Sequence, residues 1–333
     1  MADVENAASK VIVIGGSAGA LEALLEILAH LPADIPAAIF VVVHIPADAN
    51  SYLPKVLSRC AAMEARHPAD AEKALAGRIY VAPPNFHLTL SDGAIRISRG
   101  PRENRHRPAI DPLFRTAARS FGRAAVAVVL SGNLDDGSAG LLAVRTRGGV
   151  GIVQDPLDAK SGQMPQRALE YAGSDFVLPA SEIGPKLIEL INAGEKPVKK
   201  PEEDNGSEPE VREHEEDFTA GQGNGEPSVF ACPECHGVLW EMKDGELVRY
   251  RCRVGHAYTA STLKLELDDS AERALWAAMR ALEEKAAMGR RMVTTASGSS
   301  LGLLQRLQDQ VDTDAQNAEI IRKMIFSRDE PAA

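Results

Sequence analysis

Aromatic residues and cysteines are scarce in this chain. Phe, Trp and Tyr together supply 5% of the sequence, so the hydrophobic core has to be built from Ala, Val, Leu and Ile, the composition that buried parallel sheets prefer. There are four cysteines, and three of them lie close together after residue 230. This small, clustered set argues against a disulfide framework.

Long apolar runs are also missing. No apolar stretch approaches the roughly 20 residues that a membrane-spanning helix needs. The N-terminal segment MADVENAASK lacks the basic start and apolar run of a secretory signal. We therefore expect a cytoplasmic protein without membrane insertion, and its 333 residues are enough for one large domain and a smaller one.

Most of the formal net charge of −10 comes from one segment. Residues 193–227 hold eleven Asp or Glu against four Lys or Arg, a local balance of −7, with almost no large apolar side chains. Such a composition cannot bury a core and predicts a disordered acidic linker. The remaining charges nearly balance, which argues against duplex nucleic acid as a partner.

Before this linker, the sequence alternates between short apolar runs and amphipathic helical stretches such as LEALLEILAHL. The predicted strands are VIVIG, AIFVVVH, RIYVAPP, VAVVLSG, VGIVQDP and DFVLPA. The segment HLTLSDGAIRIS alternates about an Asp-Gly pair and predicts an antiparallel hairpin. The predicted fold class is α/β, with a mostly parallel, doubly wound sheet and helices on both faces.

One serine stands where an apolar strand turns into a helix. The stretch VIVIGGSAGALEALLEIL places Ser17 inside G-x-S-x-G, between Gly15 and Gly19. A tight strand-to-helix turn lifts the hydroxyl to the sheet edge beside the free N–H groups of the helix, as an acyl-transfer nucleophile requires. The alternative is that Ser17 only caps the following helix, a common role for serine.

Two later strands end in the other members of a triad. AAIFVVVHIP ends at His44, and AAVAVVLSGNLDDG ends at Asp135 and Asp136. Because the carboxyl ends of parallel strands share one edge of an open sheet, Ser17, His44 and one of the aspartates should converge there. Singly, His44 could be a loop residue and Asp-Gly a turn. Together the three residues favour a Ser-His-Asp site.

In such a site the histidine takes the serine proton during attack on an ester carbonyl, and the carboxylate orients the imidazole. The oxyanion that forms needs preorganised donors. Our candidates are the backbone N–H of Ala18 and the amides of Gly132 and Asn133. Cys60, far from these residues in sequence, is predicted to be a small core residue.

A second constellation, C-x2-C-x16-C-x3-H, follows the acidic linker and comprises Cys232, Cys235, Cys252 and His256. Two cysteines on one turn and a Cys/His pair across a short hairpin predict a closed, tetrahedral, structural zinc site. The alternative is free thiols with His256 packed or capping. We interpret the adjacent His236 as a bystander.

Several segments between residues 10 and 190 resemble one known family. They are GGSAGA, VVVHIP, GRIYVAPPNFHL, RPAIDPLFRTAA, VLSGNLDDGSAG, GGVGIVQDP and MPQRAL. This series resembles the catalytic domain of the CheB-type chemotaxis receptor protein-glutamate methylesterases. The resemblance implies that the triad is Ser17, His44 and Asp136, with Asp135 as a solvent-facing neighbour.

The resemblance also implies an activity and a partner. The activity is hydrolysis of glutamyl methyl esters, or of glutaminyl amides, with no cofactor for catalysis. The partner is a methylated chemoreceptor-like or other helical signalling protein. Family members usually carry a phosphorylatable receiver domain in front, whereas the first catalytic strand here begins near residue 11. We therefore expect a stand-alone catalytic domain without regulation by phosphorylation in cis.

Near the cleft implied by the resemblance lie His87, Arg107 and Arg115, for which we favour structural roles. The alternative is that Arg107 or Arg115 holds a substrate carboxylate as a bidentate donor.

After the zinc motif the sequence shows two helical patterns. The first places Leu275, Met279, Leu282 and Ala286 on one face, and the second has Leu304, Leu307 and Val311 before Ile320, Ile321 and Met324. The segment TTASGSS separates them, which favours a helical hairpin that could serve docking or oligomerisation.

These observations divide the chain into four parts. The predicted parts are a methylesterase-like catalytic domain at 1–192, the acidic linker at 193–227, a zinc-ribbon-like module at 228–262 and a helical hairpin at 263–333. Because the linker cannot bury a core and the triad lies before residue 140, residues 1–192 are expected to fold alone.

Two other classes of function compete with the esterase. A nucleotide-binding module would need G-x-G-x-x-G and an acidic residue ending the second strand, whereas this chain has GGSAGA and His44. A non-catalytic α/β scaffold, with the zinc module as its working part, is opposed by the intact triad.

Overall fold

The computed structural model describes residues 7–48, 51–91, 93–193, 225–244, 247–295 and 301–326. The chain forms two compact units, which divide between Leu263 and Lys264. Most of the predicted acidic linker lies outside the described residues.

The first unit is built on a central parallel sheet. The strands before residue 180 are β1 (Val11–Gly16), β2 (Ala38–Val43), β3 (Ala65–Arg66), β4 (Ile79–Val81), β5 (His87–Ser91), β6 (Ala94–Ser98), β7 (Ala125–Val129), β8 (Val150–Gln154) and β9 (Phe176–Leu178). Seven of them form one sheet in the order β3-β4-β2-β1-β7-β8-β9, and every neighbouring pair is parallel. The six predicted strands are confirmed, and β5 and β6 form the predicted hairpin.

Helices cover both faces of this sheet. They are α1 (Ala20–His30), α2 (Leu53–Cys60), α3 (Ile110–Phe121), α4 (Ser138–Thr146), α5 (Gln163–Ala172) and α6 (Ala180–Asn192). Successive side chains of β1 point to opposite faces, since the strand period is two. Val11 and Val13 pack in the core with α3, α4 and α5, whereas Ile12 and Ile14 pack with α1 and α6. The predicted doubly wound α/β fold is confirmed.

The chain order places a crevice at the carboxyl end of β1. From β1 the chain moves first to β2 on one side and later to β7 on the other. At such a switch point the connections after neighbouring strands diverge, and ligands of open α/β sheets bind in the crevice between them. The segments after β1, β2 and β7 therefore meet at this crevice.

The first unit also contains a four-stranded antiparallel ribbon. Its strands are β10 (Glu226–Ala231), β11 (Val238–Asp244), β12 (Leu247–Cys252) and β13 (Ala257–Thr259), paired in that order. The ribbon begins two residues earlier than predicted, at Glu226. It belongs to the same compact unit as the parallel sheet, so the predicted parts at 1–192 and 228–262 are not separate compact bodies.

Two long helices follow, α7 (Ala260–Thr295) and α8 (Leu301–Phe326). In the second unit Met279, Ala318 and Ile325 form a buried cluster with Leu275, Leu282 and Ile321 packed around them. Ala286 and Val311 are buried as well. Ile320 and Met324 are half exposed, because they lie away from this face. Among the described helices, none is both long and apolar enough to span a bilayer.

The prediction that Cys60 lies in the core is wrong. Cys60 is the last residue of α2 and is exposed. The buried residues of this helix are Pro54 and Leu57, on the face turned toward the sheet.

Candidate active site

The sharp turn after β1 presents Ser17 at the crevice. Ser17 is half-buried, and its N–H donates to the carbonyl of Ser131, 2.9 Å away, in the loop after β7. Gly19 has a φ of 76°, in the left-handed region that glycine adopts without strain. A Cβ at Gly19 would also lie 2.6 Å from Lys160 Cβ. The glycine therefore permits both the turn and the close packing around it.

Helix capping does not account for Ser17. The residue preceding α1 is Gly19, and no side chain caps this helix. The hydroxyl of Ser17 lines the crevice instead, as the nucleophile interpretation requires.

His44 and Asp136 form a hydrogen-bonded pair at the same crevice. His44 follows β2, Asp136 follows β7, and His44 Nε2 lies 2.8 Å from Asp136 Oδ2. Both side chains are almost fully buried, with 5% and 2% of their surface exposed. Ser17 and His44 line one pocket of about 390 Å³. The three predicted residues thus come together at the switch point of the sheet.

The two nitrogens of the His44 ring are used differently. Nε2 faces the carboxylate, whereas Nδ1 is buried and has no hydrogen-bond partner among the described residues. The Ser17 hydroxyl does not yet bond to it, and such catalytic bonds often tighten only when substrate is present. Nδ1 is therefore the nitrogen left to accept the proton of Ser17.

Asp136 is held by several donors. Besides His44, these are the N–H groups of Ile110 (2.7 Å), Asp111 (3.2 Å) and Gly137 (3.0 Å) and the side-chain amide of Asn104 (3.0 Å). Burial by itself raises the pKa of a carboxyl. Here the hydrogen bond and charge of His44, together with the Ile110 N–H and the Asn104 amide, outweigh burial and hold the pKa of Asp136 well below its usual range. Asp136 is a carboxylate at neutral pH.

A second histidine covers the catalytic one. The rings of His106 and His44 are stacked, with centroids 3.6 Å apart and an interplanar angle of 11°. Burial, followed by the nearby charge of His44, lowers the pKa of His106 to about 4. A neutral ring therefore packs on His44, which restricts the orientation of the imidazole without adding a charge.

The rim of the pocket is basic. Arg102, Arg105 and Arg107 line it beside His106. Three positively charged residues at one opening favour a ligand segment that carries carboxylates.

The predicted oxyanion donors divide into two groups. The amide of Gly132 donates to the carbonyl of Ser161 at 2.9 Å, so this part of the prediction is wrong. Within the part of the chain that the structure describes, no acceptor pairs with the amides of Ala18 and Asn133. These two N–H groups stay the candidate donors.

Asp135 does not face solvent, contrary to prediction. It is 1% exposed and accepts hydrogen bonds from Thr259 Oγ1, at 2.9 Å, and from Ser261 Oγ. Both donors lie where the ribbon passes into α7. The sequence signal failed because these partners lie more than 120 residues further along the chain.

Two residues that sequence analysis missed complete the surroundings of Asp136. Asn104 Nδ2 donates to Asp136 and also to Asp111 Oδ2, at 2.9 Å. Asp111 is fully buried, and burial, followed by the charge of Asp136, raises its pKa to about 8. Asn104 lies in no recognisable local pattern, whereas Asp111 falls in the segment RPAIDPLFRTAA already noted.

The structural roles favoured for three further residues agree with their contacts. His87 is buried, and its Nε2 lies 2.8 Å from the carbonyl of Pro101. Arg115 makes a buried ion pair with Glu103 at 2.8 Å. Arg107 donates to Asn85 Oδ1 and to backbone carbonyls, so its guanidinium supports the pocket wall.

The four predicted metal ligands also converge. The ligand atoms of Cys232, Cys235, Cys252 and His256 all lie within 4.8 Å of one another. The Sγ atoms of Cys235 and Cys252 are 3.5 Å apart, and His256 Nδ1 lies 3.7 Å from Cys232 Sγ and 3.5 Å from Cys252 Sγ. The other nitrogen of His256, Nε2, is 3.3 Å from Glu234 Oε2.

Comparison with known proteins identifies relatives of the segment that carries this site. Residues 12–187 match the family model described as CheB methylesterase. A protein-glutamate methylesterase/protein-glutamine glutaminase from Ralstonia nicotianae is 36% identical over 188 residues, which cover 55% of this chain and 49% of that protein. A putative protein of the same name from Leptospira interrogans is 37% identical over 180 residues, 54% of this chain and 93% of its own length.

A solved structure of the same family is also similar to this chain. The crystal structure of the Thermotoga maritima CheB methylesterase catalytic domain matches with a TM-score of 0.52 and 34% sequence identity, covering 54% of this chain and 98% of that one. This chain spans about half the length of the Ralstonia protein. Since the family model covers more than half of the chain and includes Ser17, His44 and Asp136, the chain belongs to the CheB methylesterase family.

Proposed function

We propose that this protein hydrolyses glutamyl methyl esters, and glutaminyl side-chain amides, of a receptor-like protein. The observation that carries the proposal is that Ser17 and His44 line one pocket at the switch point of the sheet, with His44 bonded to Asp136 behind it. Family membership supports the same chemistry, and the relatives that match are named for both reactions.

The first half of the reaction forms an acyl-enzyme. His44 Nδ1 takes the proton from Ser17 Oγ while the oxygen attacks the ester carbonyl carbon. Asp136, bonded to Nε2, stabilises the imidazolium that results. The N–H groups of Ala18 and Asn133 stabilise the tetrahedral oxyanion. When the intermediate collapses, the C–O bond to the methoxy group breaks and His44 returns the proton, so that methanol leaves.

The second half repeats these steps with water. His44 removes a proton from the water as its oxygen attacks the acyl carbon, and it returns that proton to Ser17 Oγ as the bond to Ser17 breaks. The products are a glutamate side chain and the free serine. A glutaminyl substrate follows the same path, with ammonia as the leaving group.

The partner proposed is a methylated chemoreceptor-like or similar helical signalling protein. The arginines at the pocket rim support this choice, because a segment that carries methylated glutamates also carries free carboxylates. Arg102 and Arg105 would contact those carboxylates, while the ester group enters toward Ser17. Oligomerisation through the C-terminal helices stays a prediction.

The test is methanol release from a helical peptide that carries glutamyl γ-methyl esters. The full-length chain should release methanol, and mass spectrometry should find the modified residues converted to glutamate. A matched peptide with glutamine at the same positions should release ammonia. To identify the partner, mass spectrometry compares glutamate methylation of helical signalling proteins in wild-type and deletion cells.

We also propose that Cys232, Cys235, Cys252 and His256 bind one structural zinc ion. Zinc lies about 2.3 Å from a thiolate sulfur and about 2.0 Å from an imidazole nitrogen. Tetrahedral angles then separate two sulfurs by about 3.8 Å, and a sulfur from a nitrogen by about 3.5 Å. Three of the separations, at 3.5 to 3.7 Å, fit this geometry, and all ligand atoms lie within 4.8 Å of one another.

The surroundings of these ligands also suit a metal. The backbone amides of Glu234 and Cys235 lie near the Cys232 thiol, and those of Gly255 and His256 lie near the Cys252 thiol. Such donors stabilise thiolates. Glu234 lies beside the remaining nitrogen of His256 and orients that ring, as carboxylates commonly do for zinc-bound histidines. Four protein ligands leave no open position, so this metal would stabilise the ribbon and take no part in the reaction.

Elemental analysis of the purified chain tests the zinc proposal. We expect one zinc per chain, and loss of zinc in Cys252→Ser. The matched control is Cys60→Ser, because Cys60 is exposed and lies outside the ligand cluster. A zinc content unchanged by Cys252→Ser would contradict the site.

A further inference from the structure

We infer that the ribbon is a working part of the active site: its last strand and the start of α7 hold Asn104 and Asp135 and thereby orient Asp136. Asn104 is a positioning residue in this account, and zinc occupancy of the ribbon controls the rate of ester hydrolysis. The inference rests on the esterase and zinc site proposed above and adds a mode of regulation to them.

Backbone hydrogen bonds join the ribbon to the loop of residues 102–107, which lines the pocket. Ala257, the residue after the proposed ligand His256, accepts a hydrogen bond from the N–H of Asn104 at 2.9 Å and donates to the carbonyl of Arg102 at 3.3 Å. Glu103 and Ala257 thus form a parallel β-bridge. The loop that contributes Arg102, Arg105 and His106 to the pocket therefore pairs with β13 in the manner of an additional strand.

Side-chain bonds then connect the ribbon to the triad through Asn104. The N–H of Thr259 donates to Asn104 Oδ1 at 3.1 Å, and the Thr262 hydroxyl lies 3.4 Å from the same oxygen. This fixes which way the amide points. Its Nδ2 group then donates to Asp136 and to Asp111. One amide thus transmits the position of β13 to the carboxylate that orients His44.

A parallel connection runs through Asp135. Its carboxylate accepts from the hydroxyls of Thr259 and Ser261. The backbone next to it carries Asp136, so these bonds fix the peptide that places the catalytic carboxylate. Asn104, Asp135 and Thr259 are each 3% exposed or less. Buried polar groups of this kind are costly to leave unpaired, so the arrangement tolerates little movement of the ribbon.

The ribbon also contributes a charge to this region. Arg249 on β12 is buried, and its charge, after that of Arg115, opposes the rise in the pKa of Asp111. Three carboxyl groups, of Asp111, Asp135 and Asp136, lie buried in this part of the molecule. The ribbon thus supplies a cation that favours the ionised form of Asp111.

In this proposal, reversible zinc binding controls how firmly the ribbon holds Asn104 and Asp135. The ligand His256 directly precedes β13, and Cys252 ends β12. Without metal, small zinc ribbons lose much of their folded structure. Strand β13 would then loosen its bonds to Asn104, and the carboxylate of Asp136 would be less well aligned with His44. A misplacement of about 1 Å can cost up to about a hundredfold in rate.

The experiment uses the full-length chain and two readouts. The first is kcat for a glutamyl methyl ester peptide. The second is the low-field proton resonance of the His44 Nε2–H bonded to Asp136, which reports the alignment of the pair without any substrate. Both are measured before zinc removal by a chelator, after it, and after zinc is added back.

Substitutions in the zinc-loaded chain test the same connection without metal removal. Thr259→Val deletes the hydroxyl bonded to Asp135 and keeps the shape of the side chain. Thr259→Ser keeps a hydroxyl at this position and should retain the wild-type kcat and resonance. The matched control is Thr294→Val in α7, whose exposed hydroxyl bonds only to the carbonyl of Arg290.

We expect zinc removal and Thr259→Val each to lower kcat by about tenfold or more and to shift or broaden the low-field resonance. Added zinc and Thr259→Ser should restore both readouts, and Thr294→Val should match wild type. Unchanged kcat and an unchanged resonance in zinc-free protein and in Thr259→Val would overturn the inference. A wild-type chain that releases no methanol would instead refute the proposed esterase, and the resonance would still decide whether the ribbon positions His44 and Asp136.

Discussion

At the scale of single residues, the proposed catalysis depends on which nitrogen of His44 carries a proton. Asp136 fixes that choice, because a carboxylate can only accept and so keeps the proton on Nε2. Nδ1 then has a lone pair for the proton of Ser17. An amide at position 136 could donate to Nε2 instead and would leave Nδ1 protonated.

Asp136→Asn should therefore lower kcat by about 10⁴-fold while the chain stays folded, the effect seen when a triad histidine is held in the wrong tautomer. Steady-state kinetics on the peptide ester measure it. Asp34→Asn is the matched control, since Asp34 is exposed. Turnover of Asp136→Asn near the wild-type value would show that this carboxylate does not orient the base.

The raised pKa of Asp111 predicts that the stability of the fold depends on pH. Burial and the charge of Asp136 raise its pKa to about 8, whereas an unfolded Asp titrates at about 4. Between these values the folded chain holds a proton that the unfolded chain has lost. The free energy of unfolding that Asp111 contributes is therefore fully present below about pH 4 and is lost as the pH rises through about 8.

Replacing Asp111 by Asn should remove this contribution. The Tm of wild type minus the Tm of Asp111→Asn should decrease from pH 5 to pH 8. Thermal unfolding at several pH values measures this difference. Asp34→Asn, at an exposed position, should leave the pH dependence unchanged. A constant difference between wild type and Asp111→Asn across this range would show that Asp111 does not titrate there.

The predicted residues that come together at the crevice are those with a local sequence pattern. Ser17 stands in a glycine turn, and His44 and Asp136 each follow a strongly apolar strand. Asn104 could not be found in this way, because its partners Asp136 and Thr259 are distant in sequence and no pattern links them. The same distance explains why Asp135 was predicted to face solvent.

At the scale of elements, the loop after β7 packs directly against the nucleophile turn. A Cβ on Gly132 would lie 2.7 Å from Met164 Sδ and 3.0 Å from Ser17 Cβ. The absence of a side chain at this position therefore sets how closely α5 and the turn after β1 approach each other.

Gly132→Ala should displace Ser17 and lower kcat by about tenfold or more, with the fold retained. Kinetics together with circular dichroism distinguish loss of rate from loss of structure. Gly302→Ala on α8 is the control, because a Cβ there meets no atom within 4 Å. Wild-type kcat in Gly132→Ala would mean that the turn is not held by this contact.

The regular elements were predictable because their patterns are strong. Strands β1, β2 and β7 are fully apolar runs, as both faces of the sheet are covered. Strand β3 has two residues, too few for any period to show. Cys60 was misplaced because position within a helix decides burial, and this residue ends α2 on the exposed side.

At the scale of the whole molecule, the acidic segment suggested two independent modules. The composition of this segment predicts a linker between two separate domains. It contains no information about whether the parts on either side of the linker pack together. In the structure the ribbon and the parallel sheet belong to one compact unit, joined by the bonds of Asn104 and Asp135 to Thr259.

A fragment that ends at residue 193 should accordingly be impaired. It loses the partners of Asn104 and Asp135, so we expect a lower Tm than the full chain and a kcat on the peptide ester reduced by about tenfold or more. A longer fragment ending at residue 295 keeps the ribbon and α7, and it should retain most of the activity. Full activity in the shorter fragment would restore the interpretation of two independent modules.

Ser17 is the proposed nucleophile of a glutamyl esterase, and the decisive measurement of that role is methanol release by Ser17→Ala. Wild-type full-length protein should release methanol from the glutamyl γ-methyl ester peptide at a steady rate. Ser17→Ala should lose about 10³-fold or more of that rate, and adding His44→Ala should lower it little further, since triad members act as a unit. Methanol release by Ser17→Ala at the wild-type rate would show that Ser17 is not the nucleophile.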